Sequence, residues 1–368
     1  MLFTNGEISV ILVIYTVNSS KGGEDMQQEN NARPGTADPA SERKIPLSFT
    51  LFLSVLSAVL CGVSPYILTR AGLIVLLFFA AAGAAASFVF YTSGKPYVFL
   101  YVLPAYGLAF LITRSPFDAA LSLLALPLSV AHIICLSRKK GKTQTVAVMT
   151  AAFAAVLLII FAADYMAAYG NIDIGRLIAA AQELLRAQYD NANEIYLQMT
   201  GEVAYSENVI TATVAAFITR LPAMYILICM CTAYLSLLGF SVLLRHTGLY
   251  RVCFPEGYVF RASFASAVVY LIFYFISLFF SEDLYSVPGV VSGNITTVLT
   301  PLMAIIGAKA AGRWLKRSFA GSAGCLIFLL LPLLFFLQSG GLIIALLSAI
   351  GVISVIGGRI FAALKKKQ

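Results

Sequence analysis

From residue 47 onward the apolar positions fall in unbroken runs instead of the alternating or three-and-four spacing of soluble elements. Ten runs stand out, at 47–69, 71–91, 97–113, 117–137, 145–169, 222–244, 263–280, 294–312, 320–337 and 341–360. Each has roughly the 17–25 residues needed to cross a hydrocarbon core about 30 Å thick. In lipid only a helix satisfies every backbone polar group within one segment. The pattern therefore predicts an all-α fold, a polytopic transmembrane helical bundle of about eight to ten spans, ten being the best count. Arg70 alone separates the first two runs, marking either a tight turn or a deeper kinked hairpin.

One long connection, residues 170–221, has a different rhythm. Ile174, Leu177, Ile178, Ala181, Leu184, Leu185, Ala192, Ile195, Tyr196 and Met199 recur three and four apart, while Arg176, Glu183, Arg186, Asp190 and Glu194 turn away from them. This is the signature of an amphipathic helix, here over 172–200, lying on the membrane surface or capping the bundle. A second apolar stretch, 209–221, leads into Pro222, which is tolerated in a first helical turn but not in an interior. A helix start or a re-entrant break is expected there.

Charge adds orientation. After Pro46, alternate connections hold sixteen Lys or Arg and one acid, Glu256; the others hold five Arg and ten acids. Lys and Arg stay on the cytoplasmic side, so both termini are expected inside and 172–200 outside, in a bacterial plasma membrane. Residues 47–368 form a single transmembrane domain on this reading. Residues 1–46 read differently: 21–42 are polar and should be disordered in the cytoplasm. Lys21-Gly22-Gly23-Glu24-Asp25 can be encoded by a purine-rich stretch resembling a bacterial ribosome-binding site, which leaves Met1 and Met26 as alternative starts.

Composition narrows the chemistry. The chain is 60% hydrophobic and 11% charged, well below the charge of a soluble domain. Its basic residues sit in short loops beside apolar runs, so the expected partners are the lipid bilayer and a membrane or cytoplasmic protein at the basic loops, not nucleic acid. Six cysteines without CxxC or Cys/His spacing point to neither a disulfide framework nor a metal site. No GxxxxGK[ST], HExxH or GxSxG occurs, and no insertion is long enough for a separate enzyme domain. No catalytic residue and no cofactor is therefore assigned.

The candidate site residues are polar groups in or beside the spans, where ionisable side chains are costly and hence functional by default. Asp164 lies near the outer end of the fifth run and Arg220 just before Pro222; the two can pair at the mouth of a cavity, or each can anchor an interface. Tyr225 and Asn294 complete the candidate ligand-binding set. Asn294 also reads as a helix cap, and His132, lacking a nearby carboxylate, as a weak relay candidate. The small residues of 80–86 read as a close-packing surface.

The C-terminal half resembles the YybS-like family, bacterial multi-pass membrane proteins of unknown function, chiefly from Firmicutes. The likeness runs through Arg220-Leu221-Pro222-Ala223, Leu244-Arg245-His246-Thr247-Gly248, Phe254-Pro255-Glu256-Gly257, Asn294 and Ile305-Ile306-Gly307 to a final hairpin with a basic tail. The helix-rich layout is also similar to the substrate-binding subunits of energy-coupling-factor vitamin transporters. Two functions follow as expectations: a transport-type subunit holding a small solute in an outward-opening cavity, or a structural or regulatory membrane platform.

Overall fold

The structure, a computed structural model, describes residues 46–71, 74–93, 96–254, 258–280, 286–318, 344–362 and 364. Within these, every regular element is helical. The helices are α1 (Leu47–Ala71), α2 (Val75–Ser93), α3 (Val102–Thr113), α4 (Pro116–Ala120), α5 (Ala125–Ser137), α6 (Lys142–Tyr169), α7 (Ile174–Thr200), α8 (Glu207–His246), α9 (Tyr250–Cys253), α10 (Phe264–Phe279) and α11 (Val287–Ser318); α12 is Ile344–Ala362. Short 3-10 turns precede α3 and join α4 to α5, making Pro116–Ser137 one span. Seven of the described helices are long and apolar enough to cross a membrane, and Phe99–Thr113 and Phe264–Phe279 are shorter apolar helices. The run 320–337, the N-terminal segment 1–45, Glu256, Glu282-Asp283 and the Lys365-Lys366-Lys367 tail lie outside the described residues.

Two boundaries depart from expectation. Pro222 neither starts nor ends a helix: it sits inside α8, which begins at Glu207 and joins the 209–221 stretch to the following span. Asn294 is not a cap, because α11 begins at Val287. The amphipathic helix falls where its periodicity placed it. Asp173 caps its start by accepting the Arg176 N–H at 3.1 Å, and Gly201, at φ 77°, closes its end, as residues without a Cβ penalty do at a left-handed C-terminus.

The chain divides into two compact units. The first contains 1–160 and 229–266. Its centre is the small-residue run on α2, where Ala82, Gly83, Ala84 and Ala86 are buried. A Cβ on Gly83 would stand 3.0 Å from Ser236 Oγ and 3.2 Å from Leu128 Cβ, and one on Gly239 would stand 3.0 Å from Ala84 Cβ. Backbones approach closely here because the side chains are small, the usual basis of helix association without a hydrophobic driving force. Phe88, Phe240, Leu244 and Leu53 fill one side of this contact, and Cys61, Ala105 and Ala125 form a second cluster. The packing reading of 80–86 is thus realised in side chains. His132 is fully buried with its ring 4.5 Å from Phe240, and neither ring nitrogen has a hydrogen-bond partner.

The second unit contains 161–228 and 267–368. Here α11 and α12 cross backbone to backbone. A Cβ on Gly307 would fall on the Leu347 carbonyl, and one on Gly351 on the Met303 carbonyl. Ser348 Oγ bridges the crossing by donating to Thr300 O at 3.3 Å.

Candidate functional site

Pro222 creates the chemistry of the second unit. Proline has no N–H to give the carbonyl four residues back, and its ring presses on that carbonyl, so the helical ladder opens. In α8 the affected carbonyl is that of Ile218, and the next rung would pair Ala223 N–H with Thr219 C=O. Asn294 of α11 reaches both ends of that rung. Its Oδ1 accepts the Ala223 N–H at 2.9 Å, and its Nδ2 donates to Thr219 O at 2.8 Å and to Val290 O at 2.7 Å. One side-chain amide therefore spans a helix opening on a neighbouring helix, which satisfies groups that would cost free energy if left bare.

Arg220 lies beside this bridge. Its Nη1 donates to Thr297 Oγ1 at 3.3 Å, and Thr297 Oγ1 donates to Gly293 O at 2.7 Å. The guanidinium also packs over Gly293, where a Cβ would stand in ordinary contact 3.8 Å from Arg220 Nη2. Two of the four candidates, Arg220 and Asn294, are thus brought to one α8/α11 junction. Tyr225 is half-buried further along α8. Asp164 is exposed on α6 and makes no ion pair with Arg220; an ion pair forms instead between Arg186 and Glu207, 3.3 Å apart.

Arg186 belongs to a cleft between α7 and the start of α8 that motif reading did not single out. Half-buried Leu177, Ala181, Leu185, Tyr189 and Asn193 recur every four residues along α7. Asn193 accepts the Tyr205 N–H at 2.8 Å and donates to Tyr205 O at 2.9 Å, while the Tyr189 and Tyr205 rings meet edge to face at 5.3 Å. These contacts hold α7 against the first turns of α8. Between them lies a cavity of about 440 Å³ whose wall includes Gln182, Glu183, Arg186, Asp190 and Thr211 over a floor of Val214 and Ala215. Arg186 Nη2 donates to Thr211 Oγ1 at 3.2 Å. The signal was present in the sequence as the polar face of the amphipathic helix, but periodicity alone assigns that face to water.

Among the described residues, no three His, Cys, Asp or Glu side chains gather as metal ligands would. The model of a family described as predicted membrane protein, DUF2232, matches residues 55–355. The chain belongs to the DUF2232 family. No curated protein and no solved structure matches it. Membership agrees with the multi-pass helical fold, and both units carry residues inside the matched range, including the Pro222–Asn294 bridge and the α7/α8 cleft. The expectation of an uncharacterised multi-pass membrane family is met at that level.

Proposed function

We propose that this protein is a transport-type subunit of a bacterial plasma membrane, with both termini cytoplasmic, that binds a small solute in a cavity open to the outer side. The observation carrying the reading is the cleft between α7 and α8. Its volume of about 440 Å³ falls within the range of small-molecule sites, and it joins apolar floor to a few convergent polar groups, the combination such sites use. Arg220 and Tyr225 on α8 and Asn294 on α11 are the residues assigned to solute contact, with Asp164 as an outer anchor.

The test is to purify the protein in lipid nanodiscs, release bound molecules by denaturation and identify them by mass spectrometry. A single enriched small solute, lost from Arg186→Met and Asp190→Asn variants, is expected. Identical small-molecule profiles for the wild type and an unrelated membrane protein would reject solute binding. A platform role is the competing reading, favoured by the close packing around Gly83 and Gly239, and that null result would favour it.

A further inference from the structure

The basic connections of the first unit are assembled, not merely adjacent in sequence. Lys142 opens α6 with its ammonium 4.8 Å from the Phe260 ring centre and 5.5 Å from that of Tyr234. Thr143 Oγ1 donates to Arg261 O at 2.8 Å and accepts Arg261 N–H at 3.0 Å. Tyr258 donates its hydroxyl to Thr145 Oγ1 at 2.6 Å, and burial pushes its phenol above the ordinary value, so it stays a donor. Tyr258 stacks on Phe254 at 4.0 Å, and Phe254 meets Tyr250 at 5.5 Å. Tyr250 in turn carries the Arg245 guanidinium 4.9 Å from its ring centre. This chain of contacts ties the end of α8, α9 and the 258–263 segment to the start of α6, which follows α5 after four residues.

The result is one rim bearing Arg138, Lys139, Lys140, Arg245, Arg251 and Arg261, of which all but Lys140 are exposed. No Asp or Glu stands among the described residues of 138–142, 245–254 and 258–263. The rim also lies at the ends of the apolar helices Pro116–Ser137, Lys142–Tyr169 and Glu207–His246, where the headgroups of a surrounding bilayer would sit. Tyr250 and Tyr258 among its aromatic members have the apolar body and polar hydroxyl favoured at that depth.

We infer that this rim is a binding site for the headgroups of anionic phospholipids. The chemistry fits: a phosphate diester presents charge and acceptor oxygens to several guanidinium and ammonium groups at once. Acyl chains would continue along the adjoining apolar helices. A soluble anion offers the first interaction without the second, so the lipid is the occupant assigned. The site is independent of the solute cleft and stands or falls separately.

The full chain is purified in detergent and titrated with phosphatidylglycerol or phosphatidylcholine while native mass spectrometry counts bound lipids. Phosphatidylglycerol should bind more tightly, and less so as salt rises. Its affinity should fall by about a hundredfold in a Lys139→Gln, Lys140→Gln, Arg251→Gln variant, on the order expected for three surface cations. The charge-preserving variant Lys139→Arg, Lys140→Arg, Arg251→Lys should keep it. Equal phosphatidylglycerol affinity in the wild type and the neutralised variant overturns the site. If the neutralised variant does not fold, the lipid preference of the wild type decides, and no preference overturns it. Displacement of the lipid by inorganic phosphate at constant ionic strength reassigns the rim to a soluble anion, and displacement by polyglutamate without lipid preference reassigns it to an acidic protein segment.

Discussion

The two units both let helices approach at glycine, and they differ in how deeply the helices are buried and in what else joins them. In the first, glycine and alanine on α2 and α8 let backbones approach, and 61% of the most apolar stretch of α2 is buried. Its hydroxyls there bond backbone carbonyls, as when Ser87 Oγ donates to Gly83 O at 2.8 Å within α2 and Ser57 Oγ of α1 donates to Ala82 O at 3.5 Å. In the second, 28% of the corresponding stretch of α11 is buried, and α8 and α11 are joined through a side-chain amide at a proline. Amphipathic α7 has no buried residue, and Leu184 and Met199 are 64% and 78% exposed. The first unit is built as a scaffold. The second keeps polar groups, a proline inside a helix and a cleft.

The glycine contacts themselves differ in kind, backbone against backbone at Gly307 and side chain at Gly83. Gly307→Val should be the most damaging change, because its Cβ meets the Leu347 backbone and no rotamer relieves it. A loss of roughly 3 kcal/mol or more, the upper range for overpacking, should appear as failure to purify a monodisperse protein. Gly83→Val meets side chains that can shift, so about 1–3 kcal/mol is expected, read as a lower melting temperature in nanodiscs. Equal tolerance of both would erase the distinction between a backbone crossing and a side-chain contact.

Smaller effects separate structure from function. Tyr258→Phe removes the bond to Thr145 and should cost about 1 kcal/mol, measured by thermal melting. Asp164→Asn should change stability by less than about 0.5 kcal/mol, as for an exposed residue without partners. A large loss on Asp164→Asn would show that an acid on α6 matters where no ion pair is formed.

Much of this architecture was legible in one dimension. Span length, the amphipathic period of α7 and the alternation of charge are local properties, and the helices Lys142–Tyr169 and Ile174–Thr200 lie close to where those properties put them. Long-range pairing was not. Pro222 and Asn294 each stood out alone, as a helix start and as a cap, because nothing local shows that an amide over seventy residues away meets the opened rung. The same blindness hid the α7/α8 cleft. Arg186 and Thr211 belong to different segments, and only the Asn193–Tyr205 clasp brings those segments together. For Asp164 and Arg220 the sequence left pairing and separate anchoring open, and no ion pair forms between them.

The claim that Asn294 stands in for a helical rung has a direct test in a double-mutant cycle on thermal stability. Asn294→Ala leaves Ala223 N–H and Thr219 C=O without the amide and should destabilise by about 2 kcal/mol, the usual cost of unsatisfied buried groups. Pro222→Ala lets the backbone close the ladder itself, so in that background Asn294→Ala should cost well under half as much. An equal cost of Asn294→Ala with Pro222 and with Ala at that position would contradict the account, because the amide would then be serving something other than the proline's opening.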